Sequence, residues 1–218
     1  MTIGIIGGTG KEGSGLASRW AKSGYRVIIG SRDAQKAITK AAEMNTELGG
    51  EFIIGLDNQS AATQADLVVL SVPYDAHAST LDGLKDVLQG KVLVDVTVPL
   101  KPPQVRTVNL PAGQSACMEA QAQLGAGVKV VAAFQNVSNT HLQDDEDHVD
   151  CDVLVCGDDA QAKEDVIKLA QAAGMRGLDA GPLQNAIAIE SLTPVILYLN
   201  RRYKVKGAGI MITGLNQN

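Results

Sequence analysis

The stretch Ile3–Arg32 reads IGIIGGTGKEGSGLASRWAKSGYRVIIGSR. An apolar run, Ile3–Ile6, enters the glycine-rich turn Gly7-Gly8-Thr9-Gly10-Lys11-Glu12-Gly13. A helix-patterned segment follows to about Ser23, and a second apolar run covers Val27–Ile29. Strand, turn, helix and strand within about 30 residues is the setting in which G-x-G-x-x-G binds a dinucleotide. In that reading Gly8 makes the tight turn, Gly10 lets the backbone approach a pyrophosphate, and Gly13 lets the helix lie close on the strand. Open N–H groups at the helix start, at the positive end of its dipole, hold the phosphates.

The end of the second run selects the dinucleotide. An NAD site expects Asp or Glu there to bind the ribose 2′-hydroxyl. Here the strand ends Gly30-Ser31-Arg32. Ser31 can donate to a 2′-phosphate, Arg32 can neutralise it, and Lys36 adds a cation one helical turn on. Asp33 reads as the N-terminal acid of the next helix. The pattern predicts NADP(H).

Outward from this unit, apolar runs and helical segments alternate. Helices are expected over Ala34–Leu48, Asn58–Gln64, Ala76–Leu88, Ser115–Leu124 and Ala160–Ala173. Strands are expected over Phe52–Ile54, Asp66–Val72, Lys91–Val96, Val128–Phe134, Val153–Val155 and Gly177–Asp179. Continuous apolar strands with crossover helices argue for α/β architecture: a Rossmann-like, doubly wound, mostly parallel sheet over residues 1–180. Thr97–Ala112 holds four of the seven prolines and reads as an ordered loop of the ligand crevice. The acidic run Asp144–Asp150 reads as a solvated loop. Residues 181–218 form a small C-terminal helical segment. Its helix, Ile187–Tyr203, is apolar nearly all round and must be covered, by a second subunit or by its own core. Pro194 either kinks this helix or starts it behind a Thr193 cap.

Composition narrows the classes. At 218 residues with 45% hydrophobic content, the chain makes one domain, or one with an appendage. A net charge of −5 disfavours nucleic acid and anionic membranes. No run is long enough to span a bilayer, and the N-terminus enters a strand at once, so neither a membrane nor a signal peptide is expected. Three cysteines make no disulfide or metal pattern, and Cys151 and Cys156 fall on opposite strand faces. Buried thiols in a reducing cytoplasm are expected.

On the doubly wound rule the nicotinamide lies where Val72-Pro73, Val98-Pro99 and Phe134–Asn136 end their strands. No His, Asp, Glu, Lys or Cys stands at these ends; Asp95 is the nearest acid. His77, His141 and His148 read as structural. A carbonyl or imine reductase needs a proton donor. Pure hydride transfer needs two flat rings held close with water excluded. The expected acceptor is therefore a second organic redox cofactor.

Seven stretches carry a resemblance over nearly the whole chain. They are IIGGTGKEGSGLA (5–17), VIIGSRD (27–33), VLSVPYDAH (69–77), KVVAAFQNVSNTHL (129–142), VDCDVLVCGDDAQAK (149–163), LDAGPLQNA (178–186) and ESLTPVILYLNRRYKVKGAGIMITG (190–214). With them the chain resembles the NADPH-dependent reductases of the deazaflavin coenzyme F-420. The first two stretches alone are shared with related NADPH domains, including the cytosolic part of membrane ferric reductases. The resemblance implies reversible hydride transfer between NADP(H) and coenzyme F-420, in a homodimer. It places NADP at Thr9, Gly10, Lys11, Glu12, Ser31, Arg32 and Lys36, with Val72, Pro73 and Val98 at the nicotinamide. It places the deazaflavin against Val98-Pro99 and the segment Ala133, Phe134, Gln135, Asn136 and Val137. One departure is Ile187, where the family often has Arg. The cations Arg201, Arg202, Lys204 and Lys206 either complement the end of the last helix or receive the anionic deazaflavin tail. Two alternatives stay open: an NADPH-dependent flavin or ferric-chelate reductase, and a non-enzymatic NADP(H)-sensing module.

Overall fold

The structure, a computed structural model, describes residues 1–144 and 148–215. Asp145–Asp147 of the acidic run lie outside the described residues; Asp144 and Asp150, which flank them, are exposed. Strands β1 (Thr2–Ile6), β2 (Arg26–Ser31), β3 (Ile53–Asp57), β4 (Leu67–Leu70), β5 (Val92–Asp95), β6 (Lys129–Ala132), β7 (Asp152–Gly157) and β8 (Arg176–Asp179) form one sheet in the order β3-β2-β1-β4-β5-β6-β7-β8. All neighbouring pairs are parallel except β6–β7. Helices are α1 (Lys11–Lys22), α2 (Ala34–Leu48), α3 (Asn58–Gln64), α4 (Tyr74–Leu88), α5 (Ala116–Leu124), α6 (Asn139–Leu142), α7 (Ala160–Ala172) and α8 (Ala186–Tyr203). The chain order reverses between β1 and β4, which opens a crevice at the C-terminal strand ends.

Each face of the sheet has its own core. Leu16, Trp20, Val69, Val131 and Val166 belong to one; Ile6, Leu70, Leu81, Leu93 and Leu124 to the other. Cys151 lies in the first and Cys156 in the second, as their strand parity requires. Helix starts follow local chemistry. Asp33 accepts from Gln35 N and Lys36 N at 3.0 and 3.3 Å, Asp57 from Ser60 N at 2.9 Å, and Asp159 from Ala162 N at 2.8 Å. No described helix is long and apolar enough to cross a membrane.

Several elements differ from the sequence expectation. Within the apolar run Asp66–Val72 the strand spans only Leu67–Leu70, although Asp66 N and Ser71 N still donate to Thr2 O and Ile6 O, both at 2.9 Å. The short α6 carries no periodic signal. Arg19, 7% exposed, holds it against α1 by donating to the carbonyls of Leu142, Ala173, His141 and Asp144. α8 runs unbroken through Pro194, so Thr193 is no cap and the helix does not start there. Nor is α8 covered all round. Ala186, Ile189, Glu190, Pro194 and Ile196 are buried, whereas Val195, Tyr198 and Leu199 are 45%, 55% and 39% exposed. Beyond it the chain runs back along β7. Asp152 N donates to Ile210 O at 2.8 Å, and Arg176 grips both Asp152 carboxylate oxygens and Ile212 O.

Candidate active site

The glycine turn joins β1 to α1. Gly8 lies in a tight turn, its N–H donating to Ile5 O at 3.1 Å, and Gly7, at φ +77°, makes the left-handed bend. Gly8 is also closely packed: a Cβ there would lie 2.7 Å from Ile29 Cβ and 2.8 Å from Ile5 O. Gly13 has the expected role, since its Cβ would lie 2.9 Å from Gly8 Cα. Around Gly10 only Gly7 O comes near, at 3.4 Å, so a ligand can approach that backbone. Gly8 N and Gly10 N are bonded within the turn, and Ser14 N bonds Gly10 O at 2.8 Å. The N–H groups of Thr9, Lys11, Glu12 and Gly13 have no backbone partner among the described residues. This cradle fits a pyrophosphate.

At the end of β2, Ser31 is buried and its Oγ accepts from Asp33 N at 3.2 Å, while Arg32 and Lys36 are exposed. Asp33 is occupied as the cap of α2, so its carboxylate points at that helix's N–H groups. Nearby, Asn58 Oδ1 is buried without a hydrogen-bond partner; a Cβ on Gly30 would lie 2.9 Å from it. An unmet acceptor beside the cationic strand end fits an adenosine amino group. Sequence reading missed Asn58, which carried only the signal of a helix start.

Val72 and Val98 are half-buried, Pro73 is exposed and Pro99 is buried at the ends of β4 and β5. The third wall, after β6, packs inward. Phe134, 1% exposed and at φ +70°, turns its ring into the core, edge-on to Trp20 at a centroid distance of 5.7 Å. Ala133 is fully buried and Val137 nearly so. Gln135 donates to Asp95 O at 2.8 Å, and Asn136 to Ile189 O at 2.9 Å and Thr193 Oγ1 at 3.1 Å. The side chains of Ala133, Phe134, Gln135 and Asn136 are thus buried in the core or in its polar network. The core holds Phe134 because Trp20 and the α1 side offer it an apolar slot, at the cost of left-handed backbone strain. Gln135 Oε1 remains buried and without a partner, an acceptor open at this strand end.

Beneath these walls lies a polar network invisible to local sequence patterns. His77 Nε2 meets Asp95 Oδ2 at 2.6 Å, both residues being buried. Burial opposes charge on His77, but the Asp95 carboxylate, with Glu119 and Glu190, more than offsets it, and its pKa is raised. Asp95 Oδ1 accepts from Thr97 N at 3.0 Å. From α8, Glu190, 2% exposed, accepts from Ala116 N at 2.7 Å and Cys117 N at 3.1 Å at the start of α5. Burial pushes its carboxyl up to about 7 despite those donors. Burial also holds the Cys117 thiol well above its ordinary value, which leaves it no nucleophile at neutral pH. Thr193 Oγ1 donates to Gln135 O at 2.8 Å. The ends of β5 and β6 are thereby fastened to each other and to α8. No group of three His, Cys, Asp or Glu among the described residues could hold a metal.

Ile187 is half-buried at the start of α8, and its carbonyl accepts from Ser191 Oγ at 2.6 Å. Arg201, Arg202, Lys204 and Lys206 are all exposed beyond it.

Residues 2–99 match the family described as NADP oxidoreductase, coenzyme F420-dependent. The F420-dependent NADP reductase of Methanocaldococcus jannaschii is 46% identical over 99% of both chains. That of Methanothermobacter thermautotrophicus is 44% identical over 99% of this chain and 96% of its own. The crystal structure of a proposed F420-dependent NADP-reductase from Arthrobacter sp. FB24 superposes with a TM-score of 0.82 at 26% identity, covering 97% of this chain and 98% of that one. With the same fold end to end and identity of this order over the full length, the chain belongs to the F420-dependent NADP reductase family.

Proposed function

We propose that this protein transfers a hydride reversibly between NADP(H) and the deazaflavin coenzyme F-420. The relationship to F420-dependent NADP reductases over 99% of the chain carries this reading. Bound together, the two cofactors supply the chemistry, a hydride passing between nicotinamide C4 and deazaflavin C5. The chain's own residues bind, orient and exclude water. The N–H groups of Thr9, Lys11, Glu12 and Gly13 hold the phosphates, with Gly10 giving room. Ser31, Arg32 and Lys36 take the 2′-phosphate. Val72, Pro73 and Val98 flank the nicotinamide. The deazaflavin lies against Pro99 and the Phe134–Val137 segment, which contributes backbone and a fixed position more than side-chain surface. Arg201, Arg202, Lys204 and Lys206 receive its anionic tail.

The C-terminal helix α8 packs on the sheet domain and on a second copy of the chain. The exposed apolar face of Val195, Tyr198 and Leu199 supports a homodimer. Tyr198→Asp should shift sedimentation to the monomer. Buried, unpaired thiols and the nicotinamide cosubstrate fit a cytoplasmic enzyme.

The test is direct. The protein, NADPH and the deazaflavin are mixed and the deazaflavin visible absorbance is followed. Rapid bleaching with NADPH and far slower bleaching with NADH is expected. Bleaching of flavin or ferric chelate alone, or binding of NADPH without turnover, would overturn the assignment. Arg32→Ala should weaken NADPH binding by roughly 1.5–3 kcal/mol, as for a hydrogen bond to a charged group, and leave NADH binding unchanged.

A further inference from the structure

One buried charge pair under the strand-end walls is not used by any cofactor contact described above. His77 lies in the first turn of α4, which starts directly behind Pro73, and Asp95 is the last residue of β5. Their side chains meet at 2.6 Å, both buried. The pair is tied to the residues that flank the nicotinamide. Asp95 Oδ1 accepts from Thr97 N at 3.0 Å, Thr97 immediately precedes Val98, and Thr97 Oγ1 donates to Val72 O at 3.4 Å. Val96 and Thr97 are buried too, so the pair sits in a poorly screened interior.

Loss of a hydride adds one positive charge to the nicotinamide ring and leaves the phosphates and adenosine unchanged. The net charge of the pair depends on one proton. With His77 protonated the pair is neutral overall; with His77 neutral it carries the Asp95 charge. Around the pair stand Tyr74 on α4 itself, its ring 6.1 Å from that of His77, Cys117 and Glu119 on α5, and Glu190 on α8. The remaining neighbour of α4, α3, has no ionisable side chain. Burial and Glu119 push the Tyr74 hydroxyl up to about 12, and burial and Asp95 hold the Cys117 thiol well above its ordinary value, so both stay neutral. Glu119 is bonded by Tyr74 Oη at 2.8 Å and Gly113 N at 3.0 Å. Glu190, at about 7, titrates near neutrality. For His77, burial opposes the charge, but Asp95, Glu119 and Glu190 outweigh it and raise its pKa above the ordinary 6.5.

We propose that the buried His77–Asp95 pair is a charge switch that distinguishes NADP+ from NADPH: a protonated His77 cancels Asp95 and the ring is held without regard to its charge, whereas a neutral His77 leaves the Asp95 carboxylate to favour the cationic ring. This rests on the reading of the crevice as the NADP(H) site. Rising pH then shifts the preference of the protein toward NADP+, and with it the bound equilibrium toward hydride leaving NADPH. By reciprocity, binding of NADP+ drives the proton off His77, and binding of NADPH does not.

The experiment measures dissociation constants at pH 6.0, 7.5 and 9.0, for NADPH by nicotinamide fluorescence and for NADP+ by displacement of NADPH. The readout is the ratio of the NADPH constant to the NADP+ constant. Ionisation of the 2′-phosphate and any loosening of the fold act on both forms alike and cancel in this ratio. In wild type it should rise at least about fivefold from pH 6.0 to 9.0, as expected for unit charges interacting across a poorly screened interior. His77→Gln keeps a donor to Asp95 but takes up no proton, so its ratio should stay at the high wild-type limit. Asp95→Asn removes the anion, so its ratio should stay at the low limit. Glu190→Gln should keep the wild-type rise. Calorimetry of wild type over the same pH range, in buffers of different ionisation enthalpy, should show more protons released on binding NADP+ than on binding NADPH. A wild-type ratio independent of pH, equal proton release with both forms, a rise that persists in His77→Gln or one that disappears in Glu190→Gln overturns the switch and leaves the cofactor site standing. Failure of wild type to bind either form at any pH overturns the site itself.

Discussion

Replacing Glu190 by Gln tests whether burial or hydrogen bonding governs the junction between α8 and the reaction crevice. Glu190 is 2% exposed and accepts two backbone N–H groups at the start of α5. Those donors favour the ionised form, and burial opposes it. Burial is the larger, and the folded value stands at about 7 against an ordinary 4.5. Below 4.5 the group is protonated in both folded and unfolded states. Between 4.5 and about 7 unfolding releases a proton, so the contribution of Glu190 to stability falls as pH rises, and above that the loss is complete. At about 1.4 kcal/mol per pH unit the limit is ~3 kcal/mol, of which about 2–3 kcal/mol falls between pH 5 and pH 8. Gln mimics the protonated acid at every pH. Urea unfolding of both proteins at pH 5 and pH 8 should therefore show the variant gaining about 2–3 kcal/mol on wild type over that range, with other titrations cancelling in the difference. A constant difference would refute the shift. A change of the opposite sign would mean that the two N–H donors dominate and that Glu190 anchors α5 as an ordinary carboxylate cap.

Two further outcomes follow from contacts outside that junction. Gly13→Ala places a Cβ 2.9 Å from Gly8 Cα, a backbone atom that cannot turn aside. α1 must back away from the turn, so NADPH binding should weaken at least tenfold while the variant loses about 1–3 kcal/mol of stability, as overpacked sites do; unchanged affinity in fluorescence titration would separate the turn from the cofactor. Arg176→Met should free the C-terminal strap, because Arg176 and the Asp152 carboxylate together hold Ile212. Trypsin should then cut faster after Lys204 and Lys206. Arg176 lowers the Asp152 pKa. The strap of wild type should accordingly hold at neutral pH and loosen only as pH falls below the ordinary Asp range, whereas the variant should be loose throughout.

Much of this protein could be read from neighbours in the chain. The turn from Ile3 to Arg32, the bounds of α2 and α3, the Asp33 cap and the NADP-type end Gly30-Ser31-Arg32 all rest on signals within a few residues of one another. Helical periodicity, capping and the chemistry of a strand end are local, so a linear sequence displays them. The assignment to a deazaflavin acceptor came from motifs spread along the chain in a fixed order, which is also linear information.

What the tertiary structure alone decided lies at long range. His77 and Asp95, 18 residues apart, become a buried pair, and Glu190 reaches the start of α5 from more than 70 residues away. Phe134 chooses the core over the crevice because Trp20 of a distant helix offers the better slot. Gly7 takes the left-handed bend, and Gly8 must lack a side chain because Ile29 of the neighbouring strand sits where one would stand. The burial that raises Glu190 depends on which surfaces close over it once the chain has folded. Local pattern determined which elements form and marked the first turn as the candidate dinucleotide site. Packing between elements remote in sequence determined which side chains face the crevice and which turn into the core.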